Sequence, residues 1–322
     1  MDGHILYLNE ADIREIDLSP SAIRSAIKNA FKGYGSSPLR VPPKQTLAVS
    51  ADHYFQSMAA VAVEPSFAAV KWVGLNGGNS DKGFPNVNGI VILSDFETGR
   101  PLAIMDGNRL TVLRTAAMSA LAAEYLAQPE ARSLGFIGCG AQAFGHFEAL
   151  HAALPGINQV VCFDRRIESA KRLADYATQA GIPGHATDSP TQVLASDVVV
   201  STIPSTKGME PFLDARELKP GALVISIDMG RSWLPSTFSS FDRFGTDDRA
   251  QAEDPGTRSK LAFSGPFDTD LSDLVTNTAN GRSNPEERIL FLFPGFALAD
   301  LAVAAELYRG AIQNSIGTVL RG

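Results

Sequence analysis

The stretch Leu134-Gly135-Phe136-Ile137-Gly138-Cys139-Gly140-Ala141-Gln142-Ala143-Phe144-Gly145 restricts the fold of this chain more than any other. The apolar run from Ser133 to Ile137 reads as a buried strand, Gly138 and Gly140 supply a tight turn, and Ala141 to Ala153 carries helix-forming residues. A dinucleotide needs this order. Side chains at the turn would block the pyrophosphate, and a helix N-terminus offers it free N–H groups and the positive end of a dipole. Gly138-x-Gly140-x-x-Ala143 fits the Gly/Ala form of that fingerprint.

Glycine-rich turns recur by chance in a chain with 28 glycines, so the flanking pattern decides. A second apolar run, Val160-Val161-Cys162-Phe163, ends at Asp164, where a carboxylate meets the adenine ribose hydroxyls. Asp164 therefore favours NAD over NADP. Arg165 and Arg166 follow at once and leave open the other assignment, a grip on a 2′-phosphate. Two further runs, Asp197 to Thr202 and Ala222 to Asp228, repeat the strand pattern at α/β spacing. The expected fold class is α/β, with a Rossmann-type dinucleotide-binding domain.

At 322 residues the chain is long enough for two domains, and 44% hydrophobic with 20% charged residues is ordinary for a globular protein. A formal net charge of −7 argues against nucleic-acid or acidic-membrane partners, which attract basic faces. An anionic ligand must then find positive charge locally. Cys139 and Cys162, the only cysteines, are too few for a disulfide scaffold or a zinc site and read as small core residues, so no metal is expected. No signal-peptide pattern or apolar run of membrane length is present, so a cytoplasmic location is expected.

Outside the dinucleotide pattern, three cations and one carboxylate stand out. Arg40 lies in the stiff loop Pro38-Leu39-Arg40-Val41-Pro42, and is either a preset carboxylate fork or a plain surface arginine. Lys71 interrupts the apolar strand Phe67 to Val73 and is either a snorkelling edge residue or a cationic clamp. Arg114 opens an Ala-rich helix running from Asn108 to about Ala127, and is expensive to bury without an anion. Asp228 closes the fourth strand of the nucleotide domain, the end at which open α/β sheets bind ligands; its plain alternative is to cap the Gly230 loop. Further strands are expected at 5–8, 45–49, 56–63, 89–95 and 101–106, the last two forming a hairpin over Phe96-Glu97-Thr98-Gly99. Phe241 to Thr246 is expected as the last strand, Asp270 to Thr276 as a short helix, and Ala297 to Ile312 as a final helix returning to the first domain.

These residues resemble the ornithine cyclodeaminase/μ-crystallin family along nearly the whole chain. The resemblance rests on Pro38-Leu39-Arg40, Lys71-Trp72-Val73, Leu93 to Gly99, Met105-Asp106-Gly107 with Leu110-Thr111, Arg114 to Ala117, Gly138 to Ala143, Gly281-Arg282, and Gly295-Phe296-Ala297 with Asp300-Leu301. It implies a homodimer in which residues 1–115 and 296–322 form an α+β substrate and dimerisation domain, and 116–295 an NAD-binding Rossmann domain. It also implies that Arg40, Lys71 and Arg114 bind a carboxylate. Thr115, Gly140, Ala141, Gln142, Asp164 and Thr202 would contact NAD, and Asp228 would stand beside the substrate nitrogen. With Gly138 and Arg165 of the fingerprint region, and Asp228 itself, these are the expected cofactor-binding residues.

The chain departs from the cyclodeaminase pattern in two places. It has Gly230-Arg231-Ser232-Trp233-Leu234 after the aspartate, and Leu292-Phe293-Pro294-Gly295 before the last helix, neither of which suits an ammonium-bearing side chain. The expectation is NAD(H)-dependent reduction of a small 2-imino acid or the reverse, with Asp228 and Lys71 catalytic. A dicarboxylic substrate such as iminosuccinate is a candidate, with Lys44, His53 or Arg231 receiving the second carboxylate. The alternatives are an ornithine cyclodeaminase and a non-catalytic μ-crystallin-like binding protein.

Overall fold

The computed structural model describes residues 4–34, 41–50, 52–204 and 209–321. In chain order these form β1 (His4–Leu8), α1 (Glu10–Ile16), α2 (Pro20–Tyr34), β2 (Gln45–Ala48), β3 (His53–Ala62), β4 (Phe67–Asn76), β5 (Val87–Asp95), β6 (Pro101–Asp106) and α3 (Gly107–Leu126). There follow β7 (Ser133–Ile137), α4 (Ala141–Ala153), β8 (Gln159–Phe163), α5 (Ile167–Gln179), β9 (Gly184–Thr187), α6 (Pro190–Leu194), β10 (Val198–Ser201), β11 (Leu223–Ser226) and β12 (Arg243–Thr246). The rest is α7 (Arg249–Glu253), α8 (Pro255–Arg258), β13 (Thr269–Asp270), α9 (Leu271–Thr276), β14 (Ile289–Leu292), α10 (Ala297–Asn314) and β15 (Thr318–Arg321). The chain splits into two compact units, Met1–Thr115 with Phe296–Gly322, and Ala116–Gly295. Helix α3 begins in the one and ends in the other.

The strands of the central unit are parallel, in the order β13-β12-β14-β11-β10-β7-β8-β9. β10, β11 and β14 are buried at every position, which is why they read as continuous apolar runs instead of alternating ones. Sequence order reverses at β7, with β8 and β9 on one side and β10 on the other. Loops leaving such a switch point diverge and open a crevice at the strands' carboxyl ends. The strand ending at Thr246 is not the last, since β13 and β14 follow it and β14 inserts between β11 and β12. Strand order depends on which buried runs meet, and nothing within a run records its neighbour. From Ala116 to Ala123 every residue of α3 is buried, as expected of a helix without a polar face.

In the other unit, β2 to β6 form an antiparallel meander, β1 pairs with β6 in parallel, and β15 closes that edge. The hairpin between β5 and β6 turns as expected. The Asp95 carboxylate accepts from the Thr98 backbone N–H at 2.8 Å and its hydroxyl at 2.6 Å, and Gly99 takes φ +70°. Helix α10 packs on β3, β4 and β5 and against α2, with the rings of Phe31 and Tyr34 5.9 and 5.2 Å from that of Phe296. Alternation along the strands sends Met58, Ala60, Ala69, Val91, Leu93, Ala103 and Met105 to the buried face. The opposite face is apolar and open: Val61, Trp72 and Ile90 are 38%, 43% and 43% exposed, and Phe55 stacks on Trp72. Among the described residues, no helix is long and apolar enough to cross a membrane, and no His/Cys/Asp/Glu cluster is arranged to hold a metal.

Candidate active-site residues

Lys71 occupies the centre of β4 on its buried face, opposite Met58 of β3 and Val91 of β5, and is 2% exposed. Its ammonium donates to Asp300 Oδ1 at 2.8 Å. Arg114, in the first half of α3 and 6% exposed, brings Nε to 3.1 Å from that same oxygen. Asp300 sits in the first turn of α10, where the helix dipole favours a carboxylate, and is 1% exposed. Its other oxygen, Oδ2, is buried without a hydrogen-bond partner. Two cations and one anion thus come together in a buried setting. Burial, and then the neighbouring guanidinium, push Lys71 down from the usual lysine range to about 8, with Asp300 opposing both. Arg40, expected in the same role, lies outside the described residues.

In the central unit the loop after β7 is built as a glycine cradle. Gly138 takes φ +86°, and a side chain there would press on Thr202, whose hydroxyl donates to the Gly138 carbonyl at 2.9 Å. The Thr202 N–H donates to Ile137 O at 2.8 Å, so the loops after β7 and β10 are tied together at the switch point. Gly140 is the N-cap of α4 and makes no side-chain cap, and a Cβ on it would project into open space. Gln142, in the first turn, holds a buried Oε1 without a partner. Asp164 follows β8 and accepts from Cys139 N–H at 2.9 Å and from Arg166 N–H at 2.8 Å, which fixes it against the glycine turn. Uncapped amides, missing side chains and a carboxylate at the second strand's end fit a dinucleotide. Arg165 and Arg166 are exposed, Thr115 is buried in α3, and Ala141 is the first residue of α4. Both cysteines are buried and free, and contact with Cys162 pushes the Cys139 thiol up, which makes it inert.

Asp228, two residues beyond β11, is 5% exposed and enclosed by hydroxyls. Ser201 at the end of β10 donates to Oδ1 at 3.0 Å, Ser226 at the end of β11 donates to the same oxygen, and Ser232 donates to Oδ2. Gly230 N–H donates to Ser226 Oγ at 2.8 Å, and Trp233 Nε1 to Ser201 Oγ at 3.3 Å. Burial raises the carboxyl above the usual aspartate range, against the pull of the three hydroxyls.

Sequence reasoning picked out Lys71, Arg114 and Asp228 but assigned no role to Asp300 or to the serines. A carboxylate as the only charge between Ala297 and Ala305 was the available signal for Asp300. For Ser201 and Ser226 the signal was a serine ending each of two adjacent apolar strands.

The model of the ornithine cyclodeaminase/mu-crystallin family matches residues 7–315. The chain belongs to this family. Among the curated members, the alanine dehydrogenase of Archaeoglobus fulgidus is 30% identical over 324 residues, covering 98% of this chain and 98% of its own length. A Delta(1)-pyrroline-2-carboxylate reductase of Bacillus cereus is 31% identical over 272 residues, 81% of this chain and 82% of its own. Among solved structures, an archaeal alanine dehydrogenase dimer with bound NAD matches with a TM-score of 0.87 at 29% identity, over 99% of each chain. The fold class is thus α/β with a Rossmann-type unit, as in other structures of the ornithine cyclodeaminase/mu-crystallin family.

Proposed function

We propose that this protein is an NAD(H)-dependent oxidoreductase that reduces a small 2-imino acid to the amino acid, or runs the reverse dehydrogenation. The observation that carries the reading is the buried cluster of Lys71, Arg114 and Asp300, whose two cations share one carboxylate oxygen. A buried site in which two cations converge on one carboxylate oxygen favours a further anion, and a carboxylate is the anion an imino or amino acid brings. Similarity to an alanine dehydrogenase and to a Delta(1)-pyrroline-2-carboxylate reductase supports the same substrate class.

Lys71 and Arg114 bind and orient the α-carboxylate, so much of their contribution is positioning. The uncapped amides of α4 and the Gly138–Gly140 turn receive the pyrophosphate, and Asp164 takes the ribose hydroxyls. A bound nicotinamide dinucleotide supplies or accepts the hydride. Asp228 holds and releases the proton exchanged with the substrate nitrogen, its affinity for protons raised by burial. The open face of the sheet, with Val61, Trp72 and Ile90, packs against a second copy to form a homodimer, in line with the dimeric alanine dehydrogenase.

The test is a screen of 2-oxo acids with ammonia or amines, and of cyclic 2-imino acids, following NADH absorbance. One NADH consumed per amino acid formed is expected. Absence of turnover across the panel, or proline and ammonia from ornithine with only catalytic NAD, overturns the reading.

A further inference from the structure

We propose that Asp300 is a positioning residue of the carboxylate site, holding the Lys71 ammonium and the Arg114 guanidinium at one oxygen and keeping Lys71 charged while the site is empty. This rests on the function proposed above. Three observations lead to it. First, Asp300 Oδ1 is the common partner of both cations, at 2.8 Å from Lys71 Nζ and 3.1 Å from Arg114 Nε. Second, among the described residues the strands flanking Lys71 place apolar Met58 and Val91 opposite it, and the charged groups facing it are Arg114 from α3 and Asp300 from α10. Third, Oδ2 of this buried carboxylate has no partner, an arrangement that stabilises a fold poorly.

The electrostatics make the role necessary. Arginine stays protonated at any physiological pH, so without Asp300 a second buried cation beside it would shed its proton. At about 8, Lys71 keeps its proton at neutral pH by a narrow margin, and Asp300 is the group that raises it. With Asp300 in place both cations stay charged, ready to meet a substrate carboxylate. The same oxygen fixes where the two cations stand, so the carboxylate meets a preset pair.

The experiment uses the full-length enzyme and two variants, Asp300→Asn and Asp300→Glu. Lys71 titration is followed by NMR of protein carrying 13C at lysine Cε, with the resonance assigned by Lys71→Arg; this readout needs no turnover. In Asp300→Asn the Lys71 midpoint should fall by at least one pH unit. The basic limb of kcat/KM should fall with it, and KM for the carboxylate substrate should rise about tenfold or more, with kcat changed far less. Asp300→Glu restores the charge and returns the midpoint to within half a unit, while KM stays raised because the two cations are displaced. If Asp300→Asn does not fold, Asp300→Glu alone decides, since unchanged KM in that variant overturns the positioning role. A folded Asp300→Asn whose Lys71 midpoint does not move overturns the proposal outright. If the midpoint moves but no imino acid is turned over by the unmodified enzyme, the functional reading fails and the assignment of Asp300 stands.

Discussion

Lys71 and Asp228 are both buried ionisable side chains, yet they are satisfied in opposite ways. Around Asp228, three serine hydroxyls and the Gly230 turn supply neutral donors, and among the described residues no charged partner joins its hydrogen bonds. Around Lys71, the nearest groups are another cation and one carboxylate that both must share. Hydroxyl donors only partly offset the burial of Asp228, so its carboxyl holds a proton more readily than usual, whereas a shared counter-ion draws two cations to one point. On the proposed function, the paired cations of the first unit meet the substrate's anion and the carboxyl of the second exchanges the proton.

The largest effect should come from Lys71→Met, which preserves shape and removes the ammonium. Losing a preorganised cation facing the carboxylate should cost about 100- to 1000-fold in kcat/KM. Stability should move the other way. The folded pKa of Lys71 lies below its unfolded value, so its burial destabilises the fold below about pH 8, and that cost is relieved as pH rises toward the ordinary lysine range. Thermal unfolding of Lys71→Met should therefore show a midpoint no lower than that of the unmodified protein at pH 7, with any gain shrinking by pH 10. A loss of both activity and stability would mean that Lys71 is structural and the contrast with Asp228 false.

Asp228→Asn sharpens the contrast from the other side. As the proton-exchanging group, Asp228 should be worth roughly 100-fold in turnover, with NADH binding nearly unchanged. Its folded pKa is raised, so its contribution to stability is present below the unfolded pKa and is lost as pH rises through the folded one. Asn should then be tolerated at neutral pH, and the difference from the unmodified protein should vanish below the ordinary aspartate range. Normal turnover with a lowered melting point would make Asp228 only the cap of the Gly230 loop.

The same contrast explains what could be read without coordinates. The central sheet was legible because strands buried on both faces are continuous apolar runs, and α4 because its glycine turn and helix formers are contiguous; its bounds, Ala141–Ala153, were anticipated. Lys71 was visible as a charge breaking an apolar strand. Asp300 was not, because one acidic residue in the first turn of a helix is what dipole compensation alone would place there. The serine shell of Asp228 was hidden because Ser201 and Ser226 reach it only once β10 and β11 pair in register, opposite one another at their ends. α1 went unread because its capping box uses Asn9 and Asp12, and the box sought in sequences ends in Glu or Gln.

Arg114→Lys asks whether charge alone suffices in the first unit. Lysine keeps the positive charge but loses the planar fork, so about 1.5–3 kcal/mol of charge-assisted bonding should go, roughly 10- to 100-fold in kcat/KM with the fold intact. Unchanged kinetics in a folded variant would show that the site needs a positive charge there and not Arg114's geometry.

The smallest effect concerns the second unit's ligand end. Asp164 already accepts from Cys139 N–H through Oδ2 and from Arg166 N–H through Oδ1, which leaves each oxygen a lone pair for a ribose hydroxyl. A 2′-phosphate in that place would meet a fixed carboxylate, while Arg165 and Arg166 are exposed and can stay in water. NADH should therefore be preferred over NADPH by at least about tenfold in kcat/KM, equivalent to about 1.4 kcal/mol. Asp164→Ser should narrow that preference and also raise KM for both cofactors, because Cys139 N–H loses the acceptor that holds the glycine turn. A preference for NADPH in the unmodified enzyme would show that the two arginines override the carboxylate. Unchanged KM values in Asp164→Ser would show that the turn holds itself, leaving Asp164 to act on the ribose alone.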